Sequence, residues 1–268
     1  MKVCRIGVVG AGGRMGRLLL RLAATTPGFR LVAGSERKGS PDIGKDLGLL
    51  AGLEPLRLEL GDDARKVFAA SDAVLDFTAP EASLAHAKLA AIAGKAHIIG
   101  TTGIDSAGRK ALAEAAKKAP IVFAPNMSLG VNLLAELVRQ VAQALDPSWD
   151  IEIVEMHHRH KVDAPSGTAL LFGRAAAAGR GVDLDKTADR GRDGLTGARK
   201  PGAIGFAALR GGDVVGEHSV IFAGEGERLE LTHKATSREI FARGAFAAAR
   251  WAMGRKPGLY SMKDVLGL

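Results

Sequence analysis

VCRIGVVGAGGRMGRLLLRLAATT, residues 3–26, decides how the rest of the chain is read. An apolar run ends on Gly10, the first of four glycines at positions 10, 12, 13 and 16, and RMGRLLLRLAATT then carries its leucines at helical spacing. FRLVAGSE (residues 29–36) is a second apolar run that stops at the polar cluster SERKGS. Strand, tight turn, helix and strand in that order make half of a nucleotide-binding unit. Small residues in such a turn let the backbone approach a pyrophosphate, whose charge the N-terminus of the following helix favours. The spacing is G-x-G-G-x-x-G rather than G-x-G-x-x-G, so a turn that serves only helix–sheet packing is the competing reading.

Glu36 stands 20 residues after Gly16, where a carboxylate can accept from the adenosine ribose hydroxyls. Arg37 and Lys38 follow at once. A carboxylate alone favours NAD, whereas an adjacent guanidinium can pair with a 2′-phosphate, and both together suggest tolerance of NADH and NADPH.

The alternation continues with AVLDFTAP, a helix through EASLAHAKLAAIAG, HIIGTTG, a helix over residues 106–118 and the strand IVFAPN. Open parallel sheets place their ligands at such polar or glycine-rich strand ends. Near Asn126 the pattern changes. SLGVNLLAELVRQVAQAL reads as a long helix, DIEIVEMHHRH begins as a strand, and a helix starts at about Ser166. Residues 183–202, charged and glycine-rich, read as a mobile loop. Three strand-like runs with tight turns follow through residue 235 and favour a mixed or antiparallel sheet. The expected fold is α/β: a Rossmann-type nucleotide-binding domain over residues 1–126, completed by 238–268, and a central α+β domain with a mixed sheet over 127–237.

With 268 residues, 47% apolar and 25% charged, the chain has the composition of a soluble globular protein. Its formal net charge of +8 fits a nucleotide and a dicarboxylate as well as a polyanion, and 4% aromatic residues leave little for stacking on single-stranded nucleic acid. Neither a nucleic-acid partner nor a membrane is expected. Cys4 is the one cysteine, so no intrachain disulfide forms and a reducing compartment is the simpler fit. No signal-peptide pattern and no apolar run of spanning length is legible, and the expected location is the cytoplasm.

HHRHKVDAPSGTA, residues 157–169, concentrates the chemistry. The histidines lack the i, i+4 spacing of a helical metal pair, the only cysteine is remote, and on a strand His157 and His158 face opposite ways, so no metal is expected. Acid–base and anion-binding roles fit better. His157 and Lys161 are the candidate proton carriers, and Lys161 with a second histidine could hold a carboxylate. Ser166, Gly167 and Thr168 fall at a helix start, whose N–H groups can cradle an anion, although Ser166 also reads as a plain N-cap. Arg159 and His160 read as structural or solvated.

GAGGRMG, DFTAP, GTTG, FAPNMSLGVN, HHRHKVDAPSGTA, IGFAALRGGDVVGEH and ERLELTHKATSREIFARGA, in this order, resemble the pattern of the 4-hydroxy-tetrahydrodipicolinate reductase family over almost the whole chain. The resemblance implies NADH- or NADPH-dependent reduction of (2S,4S)-4-hydroxy-2,3,4,5-tetrahydrodipicolinate, a small cyclic dicarboxylate, to (S)-2,3,4,5-tetrahydrodipicolinate with loss of water, in lysine and diaminopimelate biosynthesis. It also implies a homotetramer assembled through the central domain. By the same resemblance Gly10, Ala11, Gly12, Gly13, Arg14 and Met15 hold the pyrophosphate, and Glu36 and Arg37 read the ribose or its phosphate. Gly100, Thr101, Thr102 and Ala124, Pro125, Asn126, Met127 lie near the nicotinamide half. His157 and Lys161 are the catalytic pair it implies, and His158, Gly167 and Thr168 the substrate-carboxylate ligands. Asp163 and Glu155 read as supports, Glu155 orienting His157 from the same strand face. Ala79 stands where the family often has arginine and Met127 where it often has phenylalanine; the first departure removes one possible cationic contact to the cofactor.

Two further readings share some of these features. Another dehydrogenase of the same domain plan explains the glycine turn but not HHRHKVDAPSGTA. A redox-sensing regulator fits the basic charge but leaves the second, proton-transferring cluster without a use.

Overall fold

The structure, a computed structural model, describes residues 3–268. The chain divides into two compact units: one runs to Ser128 and takes in Glu239–Leu268, the other is Leu129–Arg238. The divisions fall at 128/129 and 238/239, two residues and one residue beyond those expected.

In the first unit, strands β1 (Cys4–Val9), β2 (Phe29–Ser35), β3 (Ala73–Asp76), β4 (Ala96–Ile99), β5 (Pro120–Phe123) and β11 (Gly258–Tyr260) form one sheet in the order β11-β5-β4-β3-β1-β2. Every pairing is parallel. β3 and β4 are buried throughout, as strands covered on both faces are. Ile6, Leu19, Leu75, Ile98, Val122 and Phe246 pack on one side, together with helices α1 (Arg14–Thr25), α9 (Glu239–Ala252) and α10 (Met262–Leu266). Val9, Phe68, Val74, Ile99, Leu112 and Ile121 pack on the other, with α3 (Ala64–Ala70), α4 (Pro80–Ala93) and α5 (Ser106–Ala116). Each large aliphatic side chain buried in these layers contributes roughly 1.5–3 kcal/mol, so the sheet is a rigid base for the loops at its edge. Because all strands run the same way, the segments leaving β1, β2, β3, β4 and β5 emerge along one edge.

The second unit carries a mixed sheet of β6 (Asp150–His157), β7 (Ala188–Asp189), β8 (Ile204–Arg210), β9 (Gly216–Gly224) and β10 (Glu227–Ala235), in the order β10-β9-β6-β8-β7. β9 pairs antiparallel with β10 and β6, whereas β8 pairs parallel with β6 and β7. α6 (Leu129–Ala144) and α7 (Gly167–Arg180) share with this sheet a core built on Leu134, Val138, Ile153, Phe172, Val220 and Phe222. Burial along β6 alternates strictly, so Ile151, Ile153, Glu155 and His157 occupy one buried stripe. Its last two members are polar.

The stretch read as a mobile loop opens instead with regular structure, helix α8 (Leu184–Thr187) and then β7. Farther along, Arg199 bonds Asp150 and Glu152 of β6 and the carbonyls of Ile151 and Ala203. The helix expected over 106–118 ends at Ala116, and α2 (Leu47–Leu50), α3 and β11 are additional elements.

Candidate active site

The predicted residues fall into two groups, one in each unit. In the first, Gly10 leaves β1 with φ +66°, and a Cβ there would lie 2.5 Å from Thr78 Cγ2. At Gly16 a Cβ would come within 2.1 Å of the Gly10 carbonyl oxygen, so α1 can pack this closely on the turn only as glycine. Gly13 is the N-cap of α1 and no side chain caps the helix. Gly13 and Arg14 are exposed, Gly12 and Met15 half-buried. A small-residue turn opening on an uncapped helix start fits a pyrophosphate.

Glu36 follows β2. Its Oε2 accepts from the Gly12 N–H at 3.0 Å and its Oε1 from the Arg37 N–H at 2.9 Å, leaving a lone pair on each oxygen. The Arg37 side chain is exposed. Gly100, Thr101 and Thr102 leave β4, and only Thr102 is exposed. The Thr101 hydroxyl is 2.7 Å from Ser83 Oγ, which in turn donates to Asp76 Oδ1. Asp76 is fully buried and accepts also from Thr78, His86 and His97. Burial alone would raise its pKa, yet the two histidine hydrogen bonds and their charge hold it far below the ordinary range. Of the residues after β5, Pro125 is exposed and Asn126 half-buried, while Ala124 and Met127 are core members. Like the buried Ala11, these two can offer a ligand only backbone.

In the second unit Glu155 and His157 end the buried stripe of β6. The His157 Nδ1–H donates to Glu155 Oε2 at 2.6 Å. Arg210, paired with His157 across the parallel β6–β8 ladder, donates to both Glu155 oxygens at 2.8 Å and to the Asp163 carbonyl at 2.7 Å. The Ser166 N–H donates to Glu155 Oε1 at 3.1 Å. Burial raises the Glu155 pKa, but Arg210 and His157 outweigh it, and the carboxyl is held below its usual range. For His157 burial dominates, opposed by Glu155, and its pKa is lowered. The imidazole is therefore neutral near pH 7, with its proton on Nδ1 and a bare Nε2. A Cβ on Gly216 would lie 3.0 Å from that Nε2, so the glycine makes room for the ring.

Lys161 donates to Asp163 Oδ1 at 2.7 Å with its side chain 19% exposed, so the ammonium is paired but reachable. Ala164–Pro165 is cis, and Ser166 caps α7, its Oγ accepting from the Ala169 N–H. The same Oγ lies 2.9 Å from Nε2 of His218, a buried residue whose Nδ1 has no hydrogen-bond partner among the described residues. An unsatisfied buried N–H is costlier than a bare nitrogen, so His218 carries its proton on Nε2 and donates to Ser166. Burial, then the neighbouring His157, lower the His218 pKa to about 4. Gly167 is exposed with open space around its Cα, Thr168 is half-buried, and His158 is half-buried with its N–H donating to the Val214 carbonyl. Arg159 and His160 are exposed.

Arg210 and His218 are the two residues of this cluster that the sequence reading did not single out. Both lie inside the quoted stretch IGFAALRGGDVVGEH, but what brings them to Glu155 is strand register, Glu155 facing His218 and His157 facing Arg210. Among the described residues no group of three or more His, Cys, Asp or Glu side chains is arranged to hold a metal ion.

The fold and the first unit's turn place the chain among the Rossmann-type oxidoreductases that use a nicotinamide nucleotide. Residues 4–127 match the family model described as dihydrodipicolinate reductase, N-terminus, and residues 130–266 the corresponding C-terminus. The 4-hydroxy-tetrahydrodipicolinate reductase of Parvibaculum lavamentivorans is 60% identical over 98% of both chains. That of Rhodopseudomonas palustris (strain HaA2) is 58% identical over 100% of this chain and 99% of the relative. A dipicolinate-bound dihydrodipicolinate reductase from Paenisporosarcina sp. TG-14 superposes with a TM-score of 0.78 at 26% identity, over 97% of this chain and 98% of that one. The chain belongs to the dihydrodipicolinate reductase family, now called 4-hydroxy-tetrahydrodipicolinate reductase.

Proposed function

We propose that the chain reduces 4-hydroxy-tetrahydrodipicolinate to tetrahydrodipicolinate with loss of water, in lysine and diaminopimelate biosynthesis. The observation that carries this reading is the Glu155–His157–Arg210 cluster beside Lys161 and the start of α7. The nicotinamide nucleotide supplies a hydride. Gly10, Ala11, Gly12, Gly13, Arg14 and Met15 would form the turn that holds its pyrophosphate, with the N–H groups at the start of α1 toward it while those of Ala11, Gly12 and Gly13 bond Ser35, Glu36 and Gly10, and Glu36 would accept from the ribose hydroxyls. Arg37 is the contact for a 2′-phosphate, so NADH and NADPH are both substrates. Gly100, Thr101, Thr102 and residues 124–127 border the nicotinamide half.

Reduction consumes one proton. At neutral pH the lowered pKa of His157 leaves it without a proton to give on Nε2, whereas Lys161 keeps three N–H donors and one fixed partner. Lys161 is therefore the donor, and His157, set by Glu155, accepts a hydrogen bond from the bound substrate and orients it. His158, Gly167 and Thr168 hold a ring carboxylate. Ser166 accepts from both Ala169 and His218, so its own hydroxyl proton is left for an acceptor at this helix start.

The family resemblance also supports a homotetramer assembled through the second unit, where Leu209 and Leu229 of the sheet are exposed. Light scattering on the purified protein tests that assembly. A cytoplasmic location is part of the same reading, and among the described residues no helix is long and apolar enough to cross a membrane. The deciding experiment is an assay on the freshly generated intermediate with each nucleotide. Turnover should exceed that of any 2-keto acid or semialdehyde by orders of magnitude, and the reverse ranking would overturn the assignment.

A further inference from the structure

Gly12 is flanked by two carboxylates. A Cβ built on it would stand 3.1 Å from Glu36 Oε2 and 3.1 Å from Asp42 Oδ2. Glu36 reaches the Gly12 N–H from the end of β2. Asp42 comes from the loop that follows, its own N–H donating to Ser40 Oγ. The Asp42 side chain is only 14% exposed.

Two cations converge on Asp42. Arg17, in the first turn of α1, donates from Nη2 to Asp42 Oδ2 at 2.8 Å and from Nε to the Gly12 carbonyl at 2.9 Å. Lys45 donates to Asp42 Oδ1 at 2.6 Å. Both cations are about half exposed, 46% and 54%, while the carboxylate they share is sheltered. Arg37 and Lys38, the cations that follow Glu36, form no ion pair among the described residues and are exposed.

We propose that Asp42 is a specificity residue that biases this chain toward NADH: it engages Arg17 and Lys45, the cations that would otherwise meet a 2′-phosphate, and adds a second carboxylate beside Glu36. The inference rests on the reading of this turn as the nucleotide site. A ribose held by Glu36 would bring a hydroxyl to the carboxylate that the Gly12 N–H also binds. A free hydroxyl there donates to Glu36 and meets no penalty from Asp42. A 2′-phosphate brings up to about two negative charges to the same place. It must then either draw Arg17 and Lys45 away from Asp42, breaking two charge-assisted hydrogen bonds, or stand near two carboxylates with only the solvated Arg37 and Lys38 to offset them. The preference follows from which partner the two cations already have, not from a shortage of positive charge.

Equilibrium binding of NADH and of NADPH to the full chain, measured by calorimetry without substrate, tests this directly. Asp42→Asn keeps the size of the side chain and removes its charge. The ratio of the NADPH to the NADH dissociation constant should fall by about fivefold, the scale of an exposed ion pair released for use elsewhere. Asp42→Ala should do the same, and Arg17→Gln with Lys45→Gln added to Asp42→Asn should cancel most of the gain. The kcat/KM ratio for the two nucleotides on the substrate should follow the binding ratio. An unchanged ratio in both Asp42 variants, or a gain that survives Arg17→Gln and Lys45→Gln together in full, overturns the proposal. Failure of the unaltered chain to bind either nucleotide overturns instead the nucleotide reading, and the proposal with it.

Discussion

Glu155 and His157 lie on the same buried stripe of β6, two residues apart, with 2.6 Å between Glu155 Oε2 and His157 Nδ1. Strand periodicity puts both side chains on one face. The face is buried, so the carboxylate sets the tautomer of the ring instead of being solvated, and the bidentate fork from Arg210 keeps that carboxylate charged.

Glu155→Gln keeps the shape of the side chain but removes the charge that fixes the ring and pairs with Arg210. At metal-bound histidines, loss of the group that orients the ring costs about tenfold to a hundredfold, and kcat should fall at least on that scale here while the affinity for nucleotide holds. The pH profile gives a second reading. Glu155 raises the His157 pKa against the burial that lowers it, so the acid limb of kcat/KM should move to lower pH in the variant. A limb that stays in place or moves up would mean that His157 is not its source.

Lys161→Ala addresses the proton donor itself. Removing a positioned general acid costs about 10²–10⁴-fold, and kcat should fall by that much with nucleotide binding nearly unchanged. His157→Asn, if the ring only accepts and orients, should cost less in kcat. The opposite order in single-turnover measurements would exchange the two roles.

The nucleotide half of the chain was legible because its signals are local. A strand, a glycine turn and an amphipathic helix are contiguous in residues 3–26, and Glu36 is found by counting. HHRHKVDAPSGTA was equally legible as chemistry, since strand alternation alone separates His157 from His158. What could not be read is pairing at a distance. Arg210 and His218 reach Glu155 and Ser166 only through the register of three strands, and nothing in their immediate neighbours announces it. The short elements were illegible for another reason. LGLL and GLY, residues 47–50 and 258–260, span too few residues to show any period, and tertiary packing alone makes them helix and strand. Residues 183–202 read as a loop by composition, yet two of their charges, Arg192 and Arg199, are partners for Glu152 and Asp150 on a strand some forty residues earlier.

Arg37→Ala tests how the second nucleotide is accommodated. The side chain is exposed and stands next to Glu36. If it meets the 2′-phosphate, its loss removes one charge-assisted contact that NADH never makes, and KM for NADPH should rise several-fold, on the scale of about 1 kcal/mol. KM for NADH should change far less. Equal losses with both nucleotides would show that Arg37 supports the turn and does not read the phosphate.

His218 makes a prediction about stability and not catalysis. Its folded pKa, about 4, lies below the value of about 6.5 expected in the unfolded chain. A group lowered in this way contributes stability that is complete above pH 6.5 and is lost as pH falls toward 4, because the unfolded chain binds a proton that the folded one refuses. The full difference is on the order of 3 kcal/mol. His97, His157 and His233 are lowered by burial as well and act in the same direction. Urea unfolding between pH 7.5 and 4.5 should therefore show stability falling with acid well before the carboxylates titrate. His218→Gln retains an N–H for Ser166 but cannot take up a proton. In that variant the slope should flatten by up to one proton, about 1.4 kcal/mol per pH unit, whatever the change in absolute stability. An identical slope in the two proteins would show that His218 keeps its proton equilibrium on folding, and that its buried Nδ1 has a partner that the geometry of Ser166 does not require.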